Sequence, residues 1–267
     1  MTVTREYPDV KDVSVSLQDG VLSVTLNRPD SLNSLTQGML VAIADAMDLA
    51  AGDPEVRVVR LGGAGRGFSS GAGISEEDQN ADSHDAEGVL DAANRAVASI
   101  VALPKPVVAV VQGPAAGVGV SLALACDVVL ASDAAFFLLA FTKIGLMPDG
   151  GASALVAANI GRIRAMRLAL LADRLTAADA YDWGLISAVY PADEFDAAVD
   201  KIIAKLRSGP AVALRETKQA VNAATLTELE GAFARERKGQ LQLLVSGDFR
   251  EGTKAFQQNR RPEFKDA

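Results

Sequence analysis

Lys105-Pro106-Val107-Val108-Ala109-Val110-Val111-Gln112-Gly113-Pro114-Ala115-Ala116-Gly117-Val118-Gly119 is the stretch that decides the fold class. Val107–Val111 is a short, unbroken apolar run after two prolines, the pattern of a strand buried on both faces. The glycines that follow mark a tight turn. Val120–Ala125 then reads as a helix, and Asp127–Ala131 as another buried strand. The same grammar occurs upstream, where Val56–Leu61 reads as a buried strand running into Gly63-Ala64-Gly65-Arg66-Gly67-Phe68-Ser69-Ser70-Gly71-Ala72-Gly73. Strand, glycine turn, helix and strand in succession indicate an α/β core.

Working outward, Val13–Leu17 and Val21–Leu26 alternate at period two around Asp19-Gly20, the signature of a hairpin. Asn27-Arg28-Pro29-Asp30 breaks the strand, and Leu35, Met39, Ile43, Ala46, Met47 and Ala50 follow at helical spacing. Ser75–Gly88 is polar and acidic and reads as a mobile loop or lid. Val89–Leu103 reads as a helix stopped by Pro104, as do Arg162–Ala172 and Ala177–Trp183, with Ile186–Tyr190 a short strand. From Phe195 onward the pattern is almost wholly helical, and no fixed-period repeat is visible. The expected organisation is an α/β core over residues 1–190 and a helical region over 191–267.

Bulk composition narrows the function. The 267 residues include 34 acidic and 26 basic side chains, a formal net charge of −8, which disfavours nucleic acid as a partner. No apolar run is long enough to span a bilayer and the first ten residues lack an export-type apolar segment, so a cytoplasmic, membrane-free protein is expected. Cys126 is the single cysteine and His84 the single histidine. Together they exclude an internal disulfide and argue against a zinc site or a serine–histidine triad, because His84 sits in the acidic loop and no nucleophile elbow is present.

Glycines in the two turns let the backbone approach a ligand and expose amide N–H groups, and the second turn places those amides at a helix N-terminus. Neither turn matches a phosphate-binding P-loop or a dinucleotide fingerprint. On glycines alone, tight packing corners explain both turns as well as a binding site does.

Taken together, the motifs are more specific. Leu26-Asn27-Arg28-Pro29-Asp30-Ser31-Leu32-Asn33-Ser34-Leu35, the Gly63–Gly71 turn, Lys105-Pro106 through Asp127, Ile144-Gly145-Leu146-Met147-Pro148-Asp149-Gly150-Gly151, Leu175–Ala180 and Trp183-Gly184-Leu185 resemble, in order, the enoyl-CoA hydratase/isomerase (crotonase) family. The resemblance runs from about Val13 to about Phe264. Lys143–Gly151, Arg162–Leu171 and Phe249-Arg250-Glu251-Gly252 are most similar to its 1,2-epoxyphenylacetyl-CoA isomerase branch.

That resemblance implies a crotonase-type spiral of repeated ββα units with a C-terminal helical region that packs against neighbours in a homotrimer or homohexamer. It implies an acyl-CoA thioester as substrate, with coenzyme A part of the substrate and neither a metal nor a redox cofactor. The backbone N–H groups of Ala72 and Val118 would form an oxyanion hole for the thioester carbonyl. Arg28, Ser70, Gly71, Gly73, Ile74, Gly117, Ser121 and Phe141 would contact the substrate. Hydratases of the family use two glutamates; at those places this chain has Ser121 and Phe141, neither of which moves a proton at neutral pH. Glycine is common where this chain has Val118, and Gly73 replaces the usual acidic residue after the first-loop alanine.

Asp149 remains, at a place where an acidic residue transfers the proton in the isomerases and acts as nucleophile in dehalogenase relatives. Without the family, Pro148-Asp149-Gly150 is an ordinary turn. Ser121 reads as a pocket-lining or helix-facing hydroxyl, Cys126 and Asp127 as structural, and Phe136, Phe137 and Phe141 as acyl-pocket or core rings. The expected activity is isomerisation through a stabilised enolate with Asp149 as the single acid/base. The alternatives are a hydratase using Asp149 alone, and an acyl-CoA binding protein without turnover.

Overall fold

The computed structural model describes Tyr7, residues 10–73 and residues 85–266. Its spine is a six-stranded sheet in the order β1 (Val13–Gln18), β2 (Val21–Leu26), β3 (Val58–Gly63), β4 (Val107–Val111), β6 (Val128–Ser132) and β9 (Ala188–Tyr190). The β1–β2 pair is antiparallel, Val13 facing Leu26, and every later pairing is parallel. A second, small sheet joins β5 (Ala115–Ala116), β7 (Phe136–Leu138) and β8 (Leu175–Thr176).

The chain climbs in repeats. Each long strand feeds a short strand or single bridge and then a helix: β3, the bridge of Ala72 to Leu35 and α2 (Ala86–Ala102); β4, β5 and α3 (Val118–Ala125); β6, β7 and α4 (Ala152–Leu171). The hairpin and α1 (Gln37–Ala51) start the series, and α5 (Ala177–Trp183) leads into β9. This is the ββα spiral expected from the motifs.

Val107–Val111 is apolar at every position because both faces of the sheet are covered. Val107, Ala109 and Val111 face the main core with Met39, Ile43, Met47 and Ile100. Val108 and Val110 face the other way, packing with Val58, Leu130 and the side chains Phe195, Val199 and Ile203 of α6 (Phe195–Arg207). Each of those α6 side chains contributes about 2 kcal/mol by burial. Helices α7 (Ala211–Thr225), α8 (Leu229–Leu244) and α9 (Gly247–Gln257) complete the chain. No described helix is long and apolar enough to cross a membrane.

Several boundaries differ from the sequence reading. Helix α4 is broken at Gly161, whose φ of 74° is not helical; the piece beginning at Arg162 is the expected helix, and the piece from Ala152 was not expected. Its first half is buried and its second carries exposed Ile163, Leu170 and Leu171, so no single amphipathic period runs through it. Helix α3 starts at Val118, two residues earlier than expected, and β6 starts at Val128, one residue after Asp127. The small sheet was not expected, since strands of two or three residues carry no readable alternation.

Helix starts divide into two kinds. Thr36, Asp85, Thr176 and Ser246 each accept a backbone N–H with their own side chain, capping α1, α2, α5 and α9. Gly117 and Gly151 precede α3 and α4 and offer no side-chain cap. The α4 start is capped instead from outside by Glu236, which accepts from Gly151 N and Ser153 N.

Candidate functional site

The first glycine turn is shaped by two amide side chains. Asn33, fully buried, donates to the carbonyls of Ala64 (2.9 Å), Gly67 (2.8 Å) and Phe68 (3.2 Å). Gln112 donates to those of Gly63 (2.7 Å), Gly65 (3.1 Å) and Gly67 (2.7 Å). Ser70 fixes the outer rim by donating its hydroxyl to the Ser31 carbonyl at 2.9 Å. Arg28 donates to the Ser34 carbonyl (3.0 Å) and hydroxyl (2.8 Å) and lies 3.8 Å from Asp12, which places it in the brace behind the turn.

Ala72 ends up with its amide turned outward. Leu35 donates to the Gly71 carbonyl at 2.8 Å and accepts from Gly73 at 3.1 Å, so the bridge uses the groups on either side of Ala72 and leaves its own N–H on the opposite edge. Gly117, at φ 52°, turns the second loop so that Val118 opens α3. Neither Ala72 N–H nor Val118 N–H has a partner among the described residues. The two loops touch: a Cβ on Gly71, itself at φ 88°, would lie 2.8 Å from the Ala116 carbonyl oxygen and 3.3 Å from Gly117 Cα. Two free amides on adjoining turns, one at a helix N-terminus, suit an oxygen that acquires negative charge.

Phe141 is buried with its ring against Gly117, whose notional Cβ would be 3.8 Å from the ring edge. Phe137 is buried in the small sheet, whereas Phe136 carries Arg174 over its ring at 4.5 Å and belongs to the surface. Ser121 is fully buried on α3 and donates to the backbone carbonyl of Asp149 at 3.0 Å. It is the helix-facing hydroxyl of the two readings, spent on holding the Asp149 loop.

Asp149 sits where that loop meets α3. A Cβ on Gly150 would be 3.2 Å from Ser121 Oγ and 3.6 Å from Val118 Cγ1, so the carboxylate's loop adjoins the start of α3. The side chain is 6% exposed. Its Oδ2 accepts from Gln240 Nε2 at 2.7 Å, and its Oδ1 is buried with no hydrogen-bond partner among the described residues. Burial pushes the carboxyl up to about 7; the Gln240 bond opposes this, and the nearby Glu236 carboxylate adds to it.

Glu236 and Gln240 were not found by sequence reasoning. Both are on α8, almost fully buried. Glu236 accepts from Gly151 N (2.6 Å) and Ser153 N (2.8 Å), supplying the cap that α4 lacks. Desolvation raises its own carboxyl, and these bonds oppose the rise. One signal existed: 236 and 240 continue, four residues apart, the buried stripe Leu229, Ala232, Phe233. Polar residues on an apolar stripe mark a buried contact. Ile74, His84 and most of the 75–88 segment lie outside the described residues.

Comparison with known proteins agrees with this geometry. The family model described as Enoyl-CoA hydratase/isomerase matches residues 16–267. The chain is 37% identical over 253 residues to 1,2-epoxyphenylacetyl-CoA isomerase of Escherichia coli, spanning 93% of this chain and 96% of that protein. It is also 37% identical over 253 residues to a probable enoyl-CoA hydratase of Rhodobacter capsulatus, spanning 94% and 97%. Among solved structures, an enoyl-CoA hydratase from Mycobacterium avium subsp. paratuberculosis superposes with a TM-score of 0.91 at 66% identity, covering 97% of this chain and all of that one. The match spans nearly the whole chain in sequence and in structure, and the chain belongs to the enoyl-CoA hydratase/isomerase family.

Proposed function

We propose that the protein is an acyl-CoA isomerase in which Asp149 moves one proton while Ala72 and Val118 hold the thioester oxygen. For a 3-enoyl thioester, the Asp149 carboxylate removes a C2 proton. The C1 oxygen takes up the charge against the two amides, and the same carboxyl returns a proton at C4, leaving a 2-enoyl thioester with no atoms gained. Each oxyanion donor contributes roughly 3–4 kcal/mol to lowering the barrier. Coenzyme A enters and leaves as part of the substrate.

The observation that carries this reading is the buried Asp149, one oxygen of which has no hydrogen-bond partner among the described residues, on a loop whose next residue, Gly150, lies against Val118. A carboxyl pushed up to about 7 is poised to accept and return a proton near neutrality. Water addition calls for a second acid. Among the described residues, Ser121 is committed to the Asp149 carbonyl and Phe141 has no proton to give.

The test is incubation with 3-enoyl-CoA and 2-enoyl-CoA in deuterated water, read by mass spectrometry. Double-bond migration without gain of water, lost in Asp149→Asn, is the expected result. Full activity in Asp149→Asn overturns it. A hydratase is the second reading, favoured by the enoyl-CoA hydratase named for the structure at 66% identity. Oxygen-18 from water appearing in a 3-hydroxyacyl product would establish that reading instead.

A further inference from the structure

We infer that Gln240 is a positioning residue for Asp149, holding Oδ2 so that Oδ1 alone carries the proton to and from the substrate. The inference rests on the reading of Asp149 as the proton-moving group and goes beyond it by assigning the work to one oxygen.

The orientation of the Gln240 amide is fixed by the Asp149 loop itself. Its Oε1 accepts from Met147 N at 3.2 Å, and its Nε2 donates to Met147 O at 3.0 Å and to Asp149 Oδ2 at 2.7 Å. Flipping the amide would set its NH2 against the Met147 N–H and its oxygen against two other oxygens. Gln240 therefore always presents a donor to Oδ2. A carboxyl with a donor at one oxygen protonates at the other, and that other oxygen is the unpartnered Oδ1.

Met147 lies two residues before Asp149, so one side chain of α8 reads the loop's backbone and its carboxylate together. One helical turn earlier, Glu236 holds Gly151 and Ser153 on the far side of the same aspartate. Ser121 of α3 holds the Asp149 carbonyl. Among the described residues packed around Asp149, α8 contributes the one charge, Glu236; α3 contributes an uncharged hydroxyl, and residues 144–151 contribute no other titratable group within reach. The two α8 residues act in opposite senses on the carboxyl: the amide donor favours its ionised form, and the neighbouring carboxylate disfavours it.

The experiment follows this opposition in full-length protein. Rates on 3-hexenoyl-CoA across pH are compared for wild type, Gln240→Leu, Gln240→Glu and Glu236→Gln. In parallel, the infrared carbonyl band of the protonated Asp149 carboxyl, identified by its loss in Asp149→Asn, is titrated in the same proteins, a readout that needs no turnover. Gln240→Leu is expected to lower kcat about a hundredfold with KM changed only a few-fold, and to move both the rising limb of the rate profile and the infrared midpoint to higher pH. Glu236→Gln is expected to move both to lower pH. Gln240→Glu is expected to lose turnover where both carboxyls are ionised and to recover part of it only in the pH window where the pair holds a single proton, which the new carboxyl donates to Oδ2.

An unmoved rate limb and infrared midpoint in Gln240→Leu, with Asp149→Asn inactive, overturn the positioning role alone. Should Gln240→Leu fail to fold, a wild-type profile in Gln240→Glu overturns it equally. Retained activity in Asp149→Asn instead removes the reading beneath it.

Discussion

Burial raises the carboxyls of both Asp127 and Asp149, although the Asp127 side chain keeps 20% of its surface exposed and Asp149 is buried. Their surroundings differ in how completely that burial is answered. Asp127 accepts from Val107 N at 2.7 Å and lies 3.0 Å from the Lys218 ammonium, which also donates to the carbonyls of Ile100 (2.9 Å) and Lys105 (3.3 Å). Its own amide donates to Val107 O at 2.9 Å, so the pair locks the starts of β4 and β6 to α7. Asp149 has one neutral donor, a like charge nearby and an oxygen with nothing bound among the described residues. An ion pair with a buried ammonium marks a carboxylate that holds the scaffold. A group left partly unanswered in a folded interior stays free to exchange a proton.

The sharpest way to break this contrast is to neutralise each aspartate in turn. Asp149→Asn should cut turnover about a hundredfold or more while its melting midpoint is not lowered. Asp127→Asn should strand a buried ammonium, removing about 3–5 kcal/mol of stability while the folded fraction keeps its turnover. Urea denaturation and steady-state rates on both variants decide the matter; matching losses in the two would erase the distinction.

A smaller effect sharpens the comparison through pH. In the unfolded chain an aspartate ionises near its ordinary value of about 4, whereas in the folded chain Asp149 is pushed up to about 7. Between those values the folded protein keeps a proton that the unfolded chain has released. Stability therefore falls as pH rises through this window, and the loss is complete above about 7. Relative to Asp149→Asn, the wild type should lose about 3 kcal/mol between roughly pH 5 and pH 8, read from denaturation curves at the two pH values. A flat difference would mean that the carboxyl is not held in its neutral form by burial.

The smallest effect concerns the support of the loop. Ser121→Ala removes the hydroxyl from the Asp149 carbonyl, which should cost about 1 kcal/mol of stability and lower turnover only a few-fold. A collapse of activity in this variant would give Ser121 a place in the chemistry rather than in holding the backbone.

Much of this arrangement was legible in the sequence, for local reasons. The Val13–Leu26 hairpin follows from alternation around Asp19-Gly20, and the strand at Val107–Val111 from a run too short and too apolar for another role. Gly71 and Gly117 announce turns by composition, and the structure uses both at positive φ. What stayed hidden depends on contacts far apart in the chain. Gln240 meets Asp149 across 91 residues, and Glu236 meets Gly151 across 85. Within α8 alone their place on the apolar stripe marks a buried contact without naming its partner. Nor could spacing show that α6 covers the far face of the sheet, since its Phe195, Val199 and Ile203 stripe fits any apolar partner.

The grip of α8 on the Asp149 loop also sets an order of events during synthesis. The loop leaves the ribosome long before the helix that holds it. A nascent chain can therefore assemble the glycine turns and most of the sheet while its carboxylate is still unbraced and wet. The Asp149 loop is braced only once α8 has been made, after both glycine turns are available. A chain clipped before α8 would keep the two glycine turns and lose both side chains that hold the Asp149 loop.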